Sequence, residues 1–145
     1  DEITLIDRDD GRIVPLARPV SLKNASIDVV RAFSPTAMIG QSALDTHKGT
    51  VAHMKPTQQS VERMDEKATP CHIVFPRWRA GAQAQSSKHA KADAFMHVAT
   101  HAFNYSLLGN SGFTVMAQLL DQCECSNFEY SDISDALAFF DRLSA

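Results

Sequence analysis

The sequence lacks the features that define several large classes of protein. It has no apolar run near the roughly 20 residues of a membrane-spanning helix, and no basic segment followed by an apolar stretch and a cleavage site. We therefore expect no membrane span and a cytoplasmic protein. The 14 Lys and Arg residues are outnumbered by 17 Asp and Glu, so no basic excess predicts nucleic-acid binding.

Cysteine is also scarce. The chain has only Cys71, Cys123 and Cys125, an odd and sparse set that favours reduced thiols over a disulfide framework. The remaining composition is that of an ordinary globular domain, because 44% of the 145 residues are hydrophobic and 21% are charged. A chain of this length can bury a core without disulfides or structural metals.

The first half of the chain mixes strand and helix patterns. Residues 3–6 and 12–16 flank a turn-forming cluster and predict a hairpin. Residues 26–33 predict a short helix that Ser26 caps and that ends before Pro35. Residues 49–54 predict a strand that breaks at Lys55-Pro56, followed by a polar loop with a helical turn near residues 60–64.

The second half begins with an apolar run and becomes mainly helical. Residues 71–75 predict a buried strand that ends at Pro76, and residues 80–91 predict an exposed loop. A helix is predicted over 92–108, a second one follows Gly109–Gly112, and a short strand covers 127–130. The stripes expected to be buried are Phe95, Val98, Ala99, Ala102, Phe103 and Leu107 in the first helix, and Ile133, Leu137, Phe140 and Leu143 in a terminal helix that Ser131 or Asp132 caps. Strands interleaved with helices predict an α/β domain.

Several cations follow predicted strands or precede a predicted helix. Lys23 and Asn24 stand directly before the helix at 26–33, where an ammonium, an amide and the helix N-terminus would all favour an anion. His53 and Lys55 close one strand, and two arginines close another, namely Arg77 and Arg79 on either side of Trp78. Ligands of open α/β sheets bind beyond the carboxyl ends of strands, so these residues are candidates for phosphate contacts. A surface loop and an arginine stacked on Trp78 remain the structural alternatives.

Asp1 and Glu2 form an acidic pair beside a predicted strand. Such a pair can hold Mg²⁺ and orient or deprotonate an attacking hydroxyl. The pair is also ordinary solvated surface on composition alone. The phosphate-binding motif G-x-x-x-x-G-K-[ST] is absent, and with Asp1 in place of an initiator Met we expect it in a missing front part of the chain.

Histidine and cysteine chemistry is the weaker alternative. His97 and His101 are four residues apart, as two zinc ligands can be, but no Glu follows His97 in an H-E-x-x-H pattern and no third ligand is implied by spacing. Cys71 starts the apolar run at 71–75, which predicts a buried and unreactive thiol and disfavours a Cys-His hydrolase. A metalloenzyme is therefore a distant third hypothesis.

Five sequence blocks in order resemble the C-terminal half of the HPr-kinase-related proteins, most closely the bacterial group called HprK-related kinase A, which is encoded near exosortase systems. The blocks are Asp1-Glu2, residues 19–24 (PVSLKN), 49–56 (GTVAHMKP), 73–78 (IVFPRW) and 102–106 (AFNYS). The resemblance extends through residues 130–132 and the final helix. Ser21 to Ser26 stands where HPr kinase carries E-I-R-G-x-G, and keeps a cation but neither the acid nor the glycines. The resemblance therefore does not extend to HPr as the substrate of this chain.

The resemblance implies that residues 1–145 are the C-terminal portion of a single P-loop kinase domain of the HPr kinase and phosphoenolpyruvate carboxykinase type, with a mixed sheet flanked by helices. It implies ATP and Mg²⁺ as cofactors and phosphoryl transfer to a serine or other hydroxyl of an unknown protein or small molecule, with this chain inactive alone. Asp1 and Glu2 would be the base and the Mg²⁺ ligands. Lys23, Asn24, His53, Lys55, Arg77 and Arg79 would hold phosphate. The alternative is a non-catalytic nucleotide-binding regulatory domain of the same fold, and self-association follows by analogy only.

Overall fold

The computed structural model describes residues 3–144, which divide into two compact units. Residues 3–7 and 12–68 belong to the first unit, and residues 8–11 and 69–144 belong to the second. Across these residues the structure is mixed α/β, with three small sheets and five helices. The predicted α/β class is therefore confirmed. That both units are parts of one kinase-like domain stays a prediction.

The first unit contains the predicted hairpin, helix and strand. Two further strands pair with the predicted strand to form a small sheet, and a short second helix follows that sheet in the chain. In chain order its elements are β1 (Leu5–Ile6), β2 (Ile13–Val14), β3 (Val20–Lys23), α1 (Ala25–Phe33), β4 (Ala43–Thr46), β5 (Gly49–Met54) and α2 (Gln58–Glu62). β1 and β2 pair as a hairpin, and β5 lies between β3 and β4 with antiparallel pairing on both sides.

The core of the first unit lies between α1 and one face of the sheet. Leu22, Ile27 and Ala52 are its buried members. Val20, Val30, Ile39 and Met54 pack around them. Because side chains alternate between the two faces of a strand, the residues between these core positions on β3 and β5 belong to the opposite, outer face.

The start of α1 differs from the prediction that Ser26 caps it. Asn24 is the N-cap residue, and Ser26 lies inside the first turn, where its hydroxyl accepts from the Lys23 backbone N–H and donates to the Lys23 carbonyl, both at 2.8 Å. The Ser26 side chain therefore closes the turn between β3 and α1 instead of capping the helix.

The second unit is a three-stranded sheet with helices on both faces. Its elements are β6 (His72–Trp78), β7 (Gln85–Lys88), α3 (Lys91–His101), α4 (Tyr105–Gln122), β8 (Glu124–Tyr130) and α5 (Ile133–Leu143). β8 is central and pairs in parallel with β6 and antiparallel with β7. One core joins Ala94 of α3, Met116 and Leu120 of α4, and Cys125 of β8. On the other face of the sheet, Phe139 of α5 stacks on Phe128 of β8 with ring centroids 4.0 Å apart.

Two predictions about strands and loops in this unit were wrong in their limits. β6 continues through Pro76 to Trp78 instead of ending at Pro76. Among the described strands β6 pairs only with β8 and is therefore an edge strand, which tolerates a residue without a backbone N–H. The predicted loop at 80–91 contains β7, whose four residues are all exposed.

The helix predicted over 92–108 is divided between α3 and the first turn of α4. The break predicted at Gly109 is observed as a kink inside α4, where Gly109 has a φ of 53° and a ψ of −128°. α3 ends at His101, where the Thr100 hydroxyl donates to the His97 carbonyl and the His101 ring nitrogen lies 2.8 Å from the same oxygen. These side chains satisfy a carbonyl of the last turn and favour a helix end. The predicted buried stripe is therefore interrupted, and Phe103 and Leu107 are 83% and 86% exposed.

Three expected burial assignments are also corrected, and one of them is Leu137, which is 42% exposed although it was expected in the buried stripe of α5. In α5 the buried aromatic residue is Phe139, not Phe140, because the stack on Phe128 sets the rotation of the helix. Asp132 caps α5 as predicted, since its carboxylate accepts from the Ser134 N–H at 2.7 Å. Cys71 is exposed and not buried, because it precedes the first residue of β6.

Candidate functional site

Three of the predicted phosphate ligands share the outer face of the β3–β5 pair. Ser21 pairs with His53 and Lys23 pairs with Val51, and the core residues of both strands lie on the other face. Lys55 follows β5 in the same alternation, and its backbone N–H donates to the Met38 carbonyl at 2.8 Å. The sheet therefore carries a line of basic side chains, which we call the basic row: Lys23, His53 and Lys55.

The strand register sets the spacing of the basic row. Lys23 lies level with Val51, His53 is two residues further along β5, and Lys55 is two residues beyond His53. At about 3.4 Å per residue, each step is about 7 Å. Lys23 and Lys55 thus stand near opposite ends of the strand pair, which suits an elongated anion better than a single phosphate.

A shallow groove adjoins the end of the basic row. Its volume is about 330 Å³, and it is lined by Pro19, Met38, Ile39, Gly40, His53 and Lys55. Residues 38–40 run along β5, because Ile39 bridges Met54 and the Gly40 N–H donates to the His53 carbonyl at 2.9 Å. Within residues 3–144, the His53 ring and the Lys55 ammonium make no hydrogen bond or ion pair, so both can serve a ligand.

Asn24 serves the local structure. Its side-chain oxygen accepts from the Thr50 N–H at 3.0 Å, and its own N–H donates to the Thr50 carbonyl at 2.9 Å. Asn24 has a φ of 50° and Gly49 a φ of 82°. The two residues therefore lock the end of β3 to the start of β5. Because the Asn24 amide oxygen already accepts from the Thr50 N–H, only its amide nitrogen is left to donate to an anion.

The other predicted cations, Arg77 and Arg79, belong to the second unit. Arg79 donates to Glu129 of β8 at 2.7 Å, and Gln85 of β7 donates to the same carboxylate at 3.3 Å. The hydrogen bond from Arg79 is the main reason that the pKa of Glu129 lies below its ordinary value, and the charge of Arg77 adds to the effect. Arg79 is thus held by an acid, whereas Arg77 makes no hydrogen bond or ion pair within the described chain.

Trp78 is held by its ring nitrogen, not by a stack on arginine. Its Nε1 donates to the Ser131 carbonyl at 3.0 Å, while the side chain as a whole is 62% exposed. Trp78 alternates with the two arginines along the chain, so the strand directs them to opposite sides. The stacked arrangement considered from the sequence is not the one observed.

The predicted catalytic and Mg²⁺-binding residues, Asp1 and Glu2, lie outside the described residues. Between residues 3 and 144, no group of three or more His, Cys, Asp or Glu side chains could hold a metal ion. His97 and His101 are 4.9 Å apart by ring centroid, and His97 stacks on Phe75 at 4.6 Å.

Sequence reasoning missed Glu129 and the Met38–Gly40 wall of the groove. Glu129 was inside a predicted strand, but nothing in the sequence indicates that its strand pairs beside Arg77 and Arg79. Residues 38–40 carry no periodic or turn signal, and their role depends on pairing with β5. Both features are long-range contacts that periodicity does not encode.

Comparison of the chain with protein-family models, with curated proteins and with solved structures found no match. Among the helices of residues 3–144, none combines the length and the apolar character needed to cross a membrane.

Proposed function

We propose that this chain is part of an ATP-dependent kinase-like protein that transfers a phosphoryl group to a serine or other hydroxyl. The observation that supports it best is the basic row of Lys23, His53 and Lys55 on the sheet face opposite the core. Phosphoryl transfer relies on positioned positive charge, because negative charge spreads over several oxygens in the transition state. The sequence resemblance to the HPr-kinase-related proteins supports the same function and the P-loop kinase type of fold.

In this proposal the basic row binds the phosphates of ATP. Lys55 and His53 would hold phosphate oxygens at the groove, and Lys23 would reach the same anion from the neighbouring strand. Arg77 and Arg79 of the second unit are phosphate ligands by the sequence resemblance alone. Mg²⁺ would neutralise the phosphates when bound, and its ligands would be Asp1 and Glu2. Glu2 would orient or deprotonate the attacking hydroxyl.

Nucleotide binding is tested by titrating the protein with ATP and Mg²⁺ in a calorimeter. We expect Lys55→Gln to weaken ATP binding by about tenfold or more, since a hydrogen bond to a charged group contributes about 1.5–3 kcal/mol. Lys48→Gln is the matched control: Lys48 is an exposed lysine in the turn between β4 and β5, at the opposite end of β5 from Lys55. Equal affinities of the two variants would contradict the proposal.

Catalysis is tested separately, by following transfer of the γ-phosphoryl group of ATP to a hydroxyl acceptor. Glu2→Gln should abolish transfer of the γ-phosphoryl group while ATP binding persists. Nucleotide binding without any transfer in the unmodified protein would favour the alternative, a non-catalytic nucleotide-binding regulatory domain.

A further inference from the structure

Two cysteines of the second unit stand side by side at the start of its parallel strand pair. Cys71 directly precedes β6 and Cys123 directly precedes β8, and the first paired residues of these strands are His72 and Glu124. The ladder extends to the cysteines, because the Glu124 N–H donates to the Cys71 carbonyl at 2.8 Å. Neighbouring strands lie about 4.8 Å apart, and disulfides join residues whose Cα atoms are about 4.4–6.8 Å apart.

The two thiols also face the same side of the sheet. Cys71 alternates with Ile73, and Cys123 alternates with Cys125. Ile73 and Cys125 both pack in the core under α3 and α4. Side chains two residues apart on a strand share a face, so Cys71 and Cys123 both lie on the helix-covered side.

The two thiols differ in exposure to solvent, and this difference determines which of them an oxidant reaches first. Cys71 is exposed, whereas Cys123 is only 2% exposed. Burial raises the pKa of the Cys123 thiol, and the neighbouring Cys125 and Cys71 add to the effect. An oxidant from solution therefore meets Cys71 first.

We propose that Cys71 and Cys123 form a reversible disulfide when the protein meets a hydroperoxide, which fastens the start of β6 to the end of α4. The Cys71 thiolate attacks one peroxide oxygen, the O–O bond breaks, and water or an alcohol leaves after taking up a proton. Cys71 is then a sulfenic acid. The Cys123 sulfur loses its proton and attacks the Cys71 sulfur, the S–O bond breaks, and water leaves. Two thiols are oxidised and one peroxide is reduced.

Cys125 is the internal competitor and the matched control. It is buried on the same face as Cys123, two residues further along β8. Two residues of an extended strand span about 6.8 Å, so the Cα atoms of Cys123 and Cys125 lie at the upper limit for a disulfide. Cys71 and Cys125 are separated by that length and by one strand spacing, about 8 Å together, which is beyond the limit. The Cys71–Cys123 pair is therefore the better-placed bridge.

The experiment treats the purified protein with hydrogen peroxide, blocks free thiols by alkylation, and maps the digest by mass spectrometry without reductant. We expect a peptide that joins Cys71 to Cys123 with the loss of two hydrogen atoms, and its disappearance after dithiothreitol. The link should persist in Cys125→Ser and be absent in Cys71→Ser. Cys71→Ser changes an exposed side chain, so its folding is checked by an unchanged far-UV circular dichroism spectrum and melting temperature.

A second readout is stability. Oxidised wild-type protein and oxidised Cys125→Ser should melt at a higher temperature than their reduced forms, and Cys71→Ser should show no such difference. Three results would each overturn the proposal: Cys71 recovered as sulfinic acid beside an alkylated Cys123, a Cys71–Cys71 bridge between two chains as the main product, or a Cys123–Cys125 link.

Discussion

At the scale of single residues, Gly49 and Asn24 meet where β5 begins. A Cβ added to Gly49 would overlap the Asn24 side-chain oxygen, and the φ of Gly49 is 82°. The same oxygen accepts from the Thr50 N–H. Any side chain at position 49 would therefore strain the backbone and displace the amide that holds β3 to β5.

Gly49→Ala should lower the free energy of unfolding by about 2–3 kcal/mol, of which about 1–2 kcal/mol comes from the left-handed backbone and the rest from the displaced hydrogen bond. Urea denaturation followed by far-UV circular dichroism measures the loss. Faster hydrogen exchange at the Thr50 amide would report the broken contact with Asn24.

Gly81→Ala separates the two contributions. Gly81 has a φ of 72°, and an added Cβ would meet nothing within 4 Å. This variant should cost only the backbone part, about 1–2 kcal/mol. If both substitutions cost the same, the close approach of Asn24 to Gly49 does not contribute to stability.

At the scale of elements, the local signals predicted most of the structure. Asp10-Gly11 between apolar segments predicted the β1–β2 hairpin, and the 3.6-residue repeat predicted α1 and α5. The limits of α3 were missed because the apolar spacing continues past His101, whereas the side chains of Thr100 and His101 bond the His97 carbonyl at the helix end.

The candidate site was predicted only as separate cations. The alternation within β5 groups His53 with Lys55, but only the pairing of β3 with β5 puts Lys23 on the same face. The pairing of β3 with β5 joins residues about thirty positions apart. Its register is set by which face of the sheet packs in the core, and not by a local sequence signal. Arg77 and Arg79 lie in the other unit, so their grouping with the basic row stays a prediction.

The rotation of α5 supports a prediction at this scale. Phe139 is 7% exposed and stacks on Phe128, whereas the adjacent Phe140 is 42% exposed. Phe139→Ala should destabilise the second unit by about 3–4 kcal/mol through lost burial and a cavity. Phe140→Ala should cost about 1 kcal/mol.

The chain has one tryptophan, Trp78, and it lies in the second unit. Its fluorescence during urea denaturation therefore follows that unit in both α5 variants. If Phe140→Ala is the more damaging substitution, then the helix is rotated by one residue from the arrangement described above, as its sequence pattern had predicted.

At the scale of the whole molecule, the two units differ in how much they bury. The largest fully buried side chains of residues 3–144 are Phe128 and Cys123, both in the second unit. The first unit's main core cluster is built around Leu22, Ile27 and Ala52. Since stability grows with buried apolar area, we expect the first unit to be the weaker one.

The exposed apolar side chains at the start of α4 lead to the last prediction. Phe103 and Leu107 are more than four-fifths exposed, and large apolar side chains in contact with water favour association of one copy with another. Phe103→Ser and Leu107→Gln should each change the free energy of unfolding by no more than about 0.5 kcal/mol. Together they should reduce binding of an apolar fluorescent dye and self-association in sedimentation velocity.

Leu120→Gln is the control, because Leu120 is 3% exposed in the same helix, and burying a polar amide there should cost several times more. A loss of stability in the Leu107 variant as large as that of Leu120→Gln would mean that Leu107 is covered in solution.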